Sequence, residues 1–146
     1  MSQEKDDFDL QNFLPFLLNQ AAEAASLEFQ RLYKERYGML RSEWRVLFHL
    51  GVFGTLTAKE IGKRAKLHKT KISRAVYKLE QSRYLKRTRD EDDRRVEWLT
   101  LTPAGQTVYR ELSGIAERYD AKLAGAFSEE EAAMLRKMLR RLAGMA

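Results

Sequence analysis

The stretch from Thr57 to Gly105, TAKEIGKRAKLHKTKISRAVYKLEQSRYLKRTRDEDDRRVEWLTLTPAG, decides the reading of the chain. Thr57 followed three positions later by Glu60 makes a capping box: the hydroxyl takes an orphan amide at the start of a helix, and the carboxylate reaches back to the Thr57 amide. A short helix, roughly Ala58 to Ala65, follows. A break at Lys66 to His68 leads into a second helix whose inward face is Ile72, Ala75, Val76 and Leu79. After Tyr84 the pattern changes, and Leu85 to Arg89 and Val96 to Leu101 read as two short strands around the charged tip Asp90 to Arg95.

Upstream, Leu17, Leu18, Ala21, Ala25, Phe29, Leu32 and Tyr33 recur at helical spacing. Pro15 suits the first helical position and Gly38 the stop. Ser42 is the expected cap of the next helix, where Trp44, Leu47, Phe48 and Val52 form a stripe ending near Gly54. Downstream, Thr102-Pro103 starts a long helix carrying Val108, Leu112, Ile115, Tyr119 and Leu123. Ser128 and Glu131 make a second capping box ahead of Met134, Leu135, Met138, Leu139 and Leu142. The expected fold is mainly α with a small β-hairpin wing: a winged helix-turn-helix at residues 38–102, flanked by long terminal helices at 1–37 and 103–146. Those helices carry more apolar surface than so small a middle can cover, so a second copy of the chain is the expected partner.

Charge separates the same regions. The chain has 146 residues and a net charge of +6, yet residues 57–89 hold twelve lysines and arginines against Glu60 and Glu80, so the remainder is net acidic. A basic centre between acidic ends suits a polyanionic partner, although lysines and arginines also simply solvate helix faces. No apolar run approaches the ~18 residues needed to cross a bilayer, and the polar, acidic N-terminus lacks a secretory pattern; a cytoplasmic location is expected. With no cysteine and only His49 and His68, thiol chemistry and cysteine–zinc sites are excluded. Neither a phosphate-cradling glycine loop nor a nucleophile constellation is present, so no enzyme activity, cofactor or metal is expected.

In a helix-turn-helix the second helix lies in the major groove and its outer residues read base edges. With Ile72, Ala75, Val76 and Leu79 inward, Thr70, Lys71, Ser73, Arg74, Tyr77 and Lys78 turn outward, joined by Lys69. Arg74 can donate two hydrogen bonds to guanine, Thr70 and Ser73 can serve bases or phosphates, and the lysines can neutralise phosphates. Gly62 falls where the two helices would cross, as a close-packing site or as a tolerated weak point. In the wing, Asp93 is placed to clamp the guanidinium of Arg95 for insertion into a minor groove. Arg87, Arg89 and Arg94 complete the wing's cationic set, and Asp90, Glu91 and Asp92 are expected to face solvent. An ordinary charged hairpin loop is the competing reading.

Ser42-Glu43-Trp44-Arg45-Val46-Leu47, Leu56-Thr57 through Ile61-Gly62, Leu67 through Arg74, Asp93-Arg94-Arg95 and Leu99 through Gly105 resemble, in order and spacing, the MarR family of bacterial and archaeal transcriptional regulators. The resemblance runs from about Leu14 to the C-terminus. It implies a homodimer held by the first and last helices, recognition helices on a pseudo-palindromic operator, and Asp93 and Arg95 as the minor-groove wing pair. It further implies a repressor that releases DNA when a small phenolic or anionic effector binds. His68 stands where the resemblance leads one to expect aspartate or a similar helix cap. Phe16, Asn19, Trp44, Arg45, Phe48 and His49 are candidate effector residues, although Trp44 and Phe48 equally suit core packing. Transcriptional activation, or non-specific nucleic-acid binding by the same fold, is the alternative function. A membrane-surface or RNA-binding module fits the charge as well, but the recognition helix lacks a row of exposed aromatics for stacking bases.

Overall fold

A computed structural model describes residues 7–145. The chain divides into two compact units, one ending at Arg41 and the other starting at Ser42. The first holds a 3-10 turn, Leu10–Asn12, and helix α1, Leu14–Tyr37. α1 starts at Leu14 rather than Pro15, so the proline sits within the first turn, where its missing amide proton leaves no hydrogen bond unmade. Its stop is at Gly38, whose φ of 62° is left-handed and whose amide donates to the Lys34 carbonyl at 2.7 Å. With 24 residues the helix is about 36 Å long. Phe29 and Tyr33 are buried and meet edge to face at 5.3 Å, whereas Leu14, Leu17, Leu27 and Leu32 are exposed.

The second unit contains helices α2 (Arg41–Phe53), α3 (Ala58–Ala65) and α4 (Lys69–Gln81), strands β1 (Leu85–Arg89) and β2 (Glu97–Leu101), and helices α5 (Pro103–Ala124) and α6 (Glu129–Leu142). α2 begins one residue before Ser42, which therefore lies inside the first turn instead of capping it. β1 and β2 pair antiparallel from Leu85 opposite Leu101 to Arg89 opposite Glu97. Leu56 extends the ribbon by exchanging backbone hydrogen bonds with Leu99 at 2.8 and 3.1 Å, so the turn before α3 is stitched to the hairpin. Val46, Leu47, Leu50, Ile61, Leu79, Leu85, Leu99 and Leu112 are almost wholly buried and form the core of this unit. Among the described residues no helix is long and apolar enough to cross a membrane.

One junction aligns the hairpin with α5. The Thr102 hydroxyl donates to the Arg83 carbonyl at 2.6 Å and accepts from the Gly105 amide at 3.1 Å, while the Thr102 amide donates to the Tyr84 carbonyl at 3.0 Å. Gly105 lets this approach happen: a Cβ there would fall 1.9 Å from the Tyr84 carbonyl oxygen. At the far end of the unit the expected capping box of α6 is formed, Glu131 amide to Ser128 Oγ at 3.1 Å and Ser128 amide to Glu131 Oε1 at 2.9 Å. Arg136 of α6 makes a two-pronged pair with Asp120 of α5 at 2.8 and 3.0 Å. α6 buries no residue within the chain, and Met134, Leu135, Met138, Leu139 and Leu142 are exposed.

Because the atom facing Gly105 is backbone and cannot rotate away, Gly105→Ala should destabilise the fold by about 3 kcal/mol, the upper end of ordinary overpacking. The urea midpoint at fixed protein concentration measures it, and a loss below about 1 kcal/mol would contradict the tight junction.

Candidate nucleic-acid interface

The α3–α4 pair is built by its caps. At α3 the Thr57 amide donates to Glu60 Oε1 at 2.9 Å and the Glu60 amide to Thr57 Oγ1 at 3.2 Å, which is the expected capping box. The helix ends on Lys66 in left-handed conformation, φ 54°. Gly62 is a close-packing site: a Cβ there would lie 2.7 Å from Ile72 Cδ1 of α4 and 3.3 Å from the Leu67 carbonyl. α4 starts on His68, whose Nδ1 accepts the Thr70 amide at 3.2 Å, so an imidazole does what a carboxylate or hydroxyl does elsewhere. Accepting at Nδ1 requires that nitrogen to be unprotonated and leaves the proton on Nε2.

Ile72, Ala75, Val76 and Leu79 are buried, and Lys69, Thr70, Lys71, Ser73, Arg74, Tyr77 and Lys78 are all exposed. The whole predicted set therefore shares one solvent face. Arg74, Lys71 and Lys78 enter no ion pair among the described residues, so their charge faces solvent unneutralised. Tyr77 is tied along the helix, its hydroxyl oxygen accepting from Gln81 Nε2 at 2.8 Å. α4 closes on Arg83, φ 63°, with the Tyr84 amide bonded to the Leu79 carbonyl and the Arg83 amide to that of Glu80, both at 2.9 Å. This is a Schellman stop, with arginine in the usual place of glycine.

The wing divides its arginines by role. Arg95 has a side chain 91% exposed, and Asp93 holds it: Nε to Oδ1 at 3.1 Å, Nη2 to Oδ2 at 3.3 Å, and the Arg95 amide to Oδ1 at 3.1 Å. Arg89 and Arg94 are also exposed. Arg87, exposed as a residue, is ion-paired on both sides. Its Nε donates to Glu80 on α4 at 3.0 Å and its Nη1 to Glu97 on β2 at 3.3 Å, so it links the helix to the hairpin. Asp90 is half-exposed and also bonds within the tip, which was not expected of it. It accepts the Trp98 indole N–H at 3.0 Å and the amides of Asp92 and Asp93 at 3.1 and 3.0 Å.

These bonds set the acidities. The Trp98 indole, then the Asp93 amide, hold the Asp90 carboxyl below the ordinary aspartate value; the Arg95 guanidinium, then the Arg95 amide, do the same to Asp93.

The candidate effector residues fall on both units. Phe16, half-buried, and Asn19, exposed, lie on α1. On α2, Trp44 meets Phe48 edge to face at 4.9 Å, and Phe48 meets Tyr109 of α5 at 5.3 Å. Tyr109 was not singled out in the sequence; its signal is Gly51, where a Cβ would strike the Tyr109 ring. A guanidinium N–H of Arg45 donates to the Ala65 carbonyl, and His49 Nδ1 lies 2.6 Å from the Arg45 carbonyl. No group of three His, Cys, Asp or Glu able to hold a metal occurs among the described residues.

Residues 37–96, covering α2 through the wing tip, match the family model of the MarR family. The HTH-type transcriptional regulator FarR of Neisseria gonorrhoeae is 27% identical over 127 residues, 86% of either chain. The crystal structure of a MarR/EmrR family transcriptional regulator from Acinetobacter sp. superposes with a TM-score of 0.84 at 26% identity, over 94% of this chain and 96% of that one. The S. aureus MepR–DNA complex shares the fold at 19% identity, TM-score 0.81, over 90% and 96% of the two chains.

The lowered acidities of Asp90 and Asp93 mean that the wing-tip bonds favour the charged carboxylates. Their contribution is complete above the unfolded aspartate value of about 3.9 and is lost as pH falls through the still lower folded values. The Arg95 amide resonance should therefore stay fixed from pH 7 to about pH 5 and move only below about pH 4. A midpoint above that range would contradict the bonding described.

Proposed function

We propose that the chain, whose residues 37–96 match the MarR family model, is a winged helix-turn-helix transcriptional regulator of that family, that it acts as a homodimer that represses transcription by gripping a pseudo-palindromic operator, and that a small aromatic or anionic effector releases it. The observation that carries this reading is the solvent face of α4. Arg74, in no ion pair among the described residues, lies there between hydroxyls and lysines, beside a wing whose Arg95 is held by Asp93. Arg74 is the base reader, because a guanidinium can bond guanine O6 and N7 together; Lys69, Lys71 and Lys78 are phosphate contacts that position without reading. Arg95 enters the minor groove, where a narrow A·T segment concentrates negative potential.

The dimer reading is supported by apolar faces that the chain leaves uncovered. Leu123 on α5, Phe127 in the turn that follows, and Met134, Leu135, Met138 and Leu139 on α6 are exposed, apolar surface of the kind that association covers. Two-fold pairing presents two α4 helices about 34–36 Å apart, one turn of B-form DNA. The effector reading has the narrower support of aromatic walls at Trp44 and Phe48, with Arg45 and His49 on the same helix. The cytoplasm is the compartment consistent with such a function.

Selection of duplexes from a randomised pool, with sedimentation of the free protein, tests the core of the proposal. The expected results are a dimer and an enriched site with half-sites about one turn apart; a monomer, or a pool with no enriched sequence, overturns it. Arg74→Ala should lose about 1–3 kcal/mol on the selected site and relax its sequence preference. Lys71→Ala should weaken all duplexes alike and lower the salt slope by about one. Arg87→Ala should weaken binding without changing the slope, because its guanidinium is bonded to Glu80 and Glu97 rather than aimed at phosphate. A slope reduced by about one in Arg87→Ala would restore Arg87 as a direct contact.

A further inference from the structure

The tip that carries Arg95 is six residues long, Asp90 to Arg95, and every one of them is charged. Such a loop has no apolar anchor of its own, so its order must come from polar bonds. Two carboxylates supply them in series. Asp90, at the end of β1, uses Oδ1 to accept the Trp98 indole from the return strand and Oδ2 to accept the amides of Asp92 and Asp93. Asp93, whose amide is thereby fixed, then grips the Arg95 side chain and amide. Backbone bonds close the same turn, Asp90 amide to Val96 carbonyl at 2.9 Å and Val96 amide to Asp93 carbonyl at 3.0 Å.

We propose that Trp98 and Asp90 form a brace that sets the position of Arg95 in the wing, making them positioning residues for groove entry that do not themselves touch DNA. The inference rests on the DNA-binding reading above. Indole suits the task because it donates only, and a carboxylate needs donors; with Trp98 half-buried on β2, one end of the brace is anchored in the hairpin itself. Three donors converging on Asp90 also draw its charge inward, so that an acid beside a phosphate backbone repels it less. Asp93 is masked in the same way by Arg95. The tip thereby carries acids without forfeiting its attraction to DNA.

The test is a double-mutant cycle on the duplex that the wild-type protein selects from a randomised pool. Trp98→Phe keeps an aromatic ring and removes the donor. It should weaken binding roughly tenfold, the scale of one hydrogen bond to a charged group. In an Arg95→Ala background the same change should have almost no effect, because the brace acts through Arg95. Equal losses in both backgrounds, or no loss in either, overturn the proposal. Far-UV circular dichroism and the thermal midpoint of each variant show that it is folded.

A readout without DNA runs in parallel. Trp98 is one of two tryptophans, so the indole N–H resonance missing from Trp98→Phe is its own. That resonance should move upfield in Asp90→Asn, and an unchanged position overturns the brace. A wild-type chain that enriches no duplex while its indole resonance responds to Asp90→Asn defeats the DNA-binding reading but leaves the bond itself established. An enriched site bound equally well by Trp98→Phe defeats the brace alone.

Discussion

Four side chains on one face of α4 settle which others can meet a partner. Ile72, Ala75, Val76 and Leu79 are driven out of water, and helical geometry then leaves Thr70, Lys71, Ser73, Arg74, Tyr77 and Lys78 no place but the opposite side. Gly62 lets α3 come close enough to receive Ile72, and the capping box at Thr57 starts α3 where that contact requires it. The proposed DNA-facing surface is thus a by-product of burial.

Arginines of one hairpin do three different things. Arg95 is held by a carboxylate yet almost fully solvent-exposed, Arg87 is tied between two carboxylates, and Arg89 and Arg94 are exposed at the edges of the tip. The distinction comes from which acids lie within reach. The planar guanidinium fits a carboxylate with two parallel bonds, so Asp93 fixes the orientation of Arg95 as well as its location. The Glu80–Arg87–Glu97 bridge is partly exposed, and such pairs add little to stability. Its effect is geometric, joining α4 to both strands of the wing so that helix and hairpin keep a common frame.

Much of this was legible in the residues. Both capping boxes, the glycine stop of α1, the inward face of α4 and the clamp of Asp93 on Arg95 all depend on spacings of four residues or fewer, and all are formed. The features that local spacing left unread depend on longer range. Arg87 meets Glu80 seven positions away and Glu97 ten away, and Asp90 meets Trp98 eight away. None of these is fixed until the hairpin register and its packing on α4 are known. Ser42 failed as a cap because α2 begins one residue earlier, a boundary that composition does not resolve. His68 lay outside the usual list of cap residues, and the signal available was chemical: an unprotonated imidazole nitrogen accepts a backbone amide as an oxygen does.

Lys66 and Arg83 both adopt left-handed backbone, a conformation that disfavours a side chain by roughly 1–2 kcal/mol and that glycine enters freely. One sits at each end of the segment that holds α4, and each contributes a cation where a glycine would contribute none. Conformational ease and surface potential are in conflict at these two hinges, and the chain has kept the potential. Engineering for heat tolerance by installing glycine there would relax the main chain while thinning the positive field around α4, so backbone ease and surface charge would move in opposite directions.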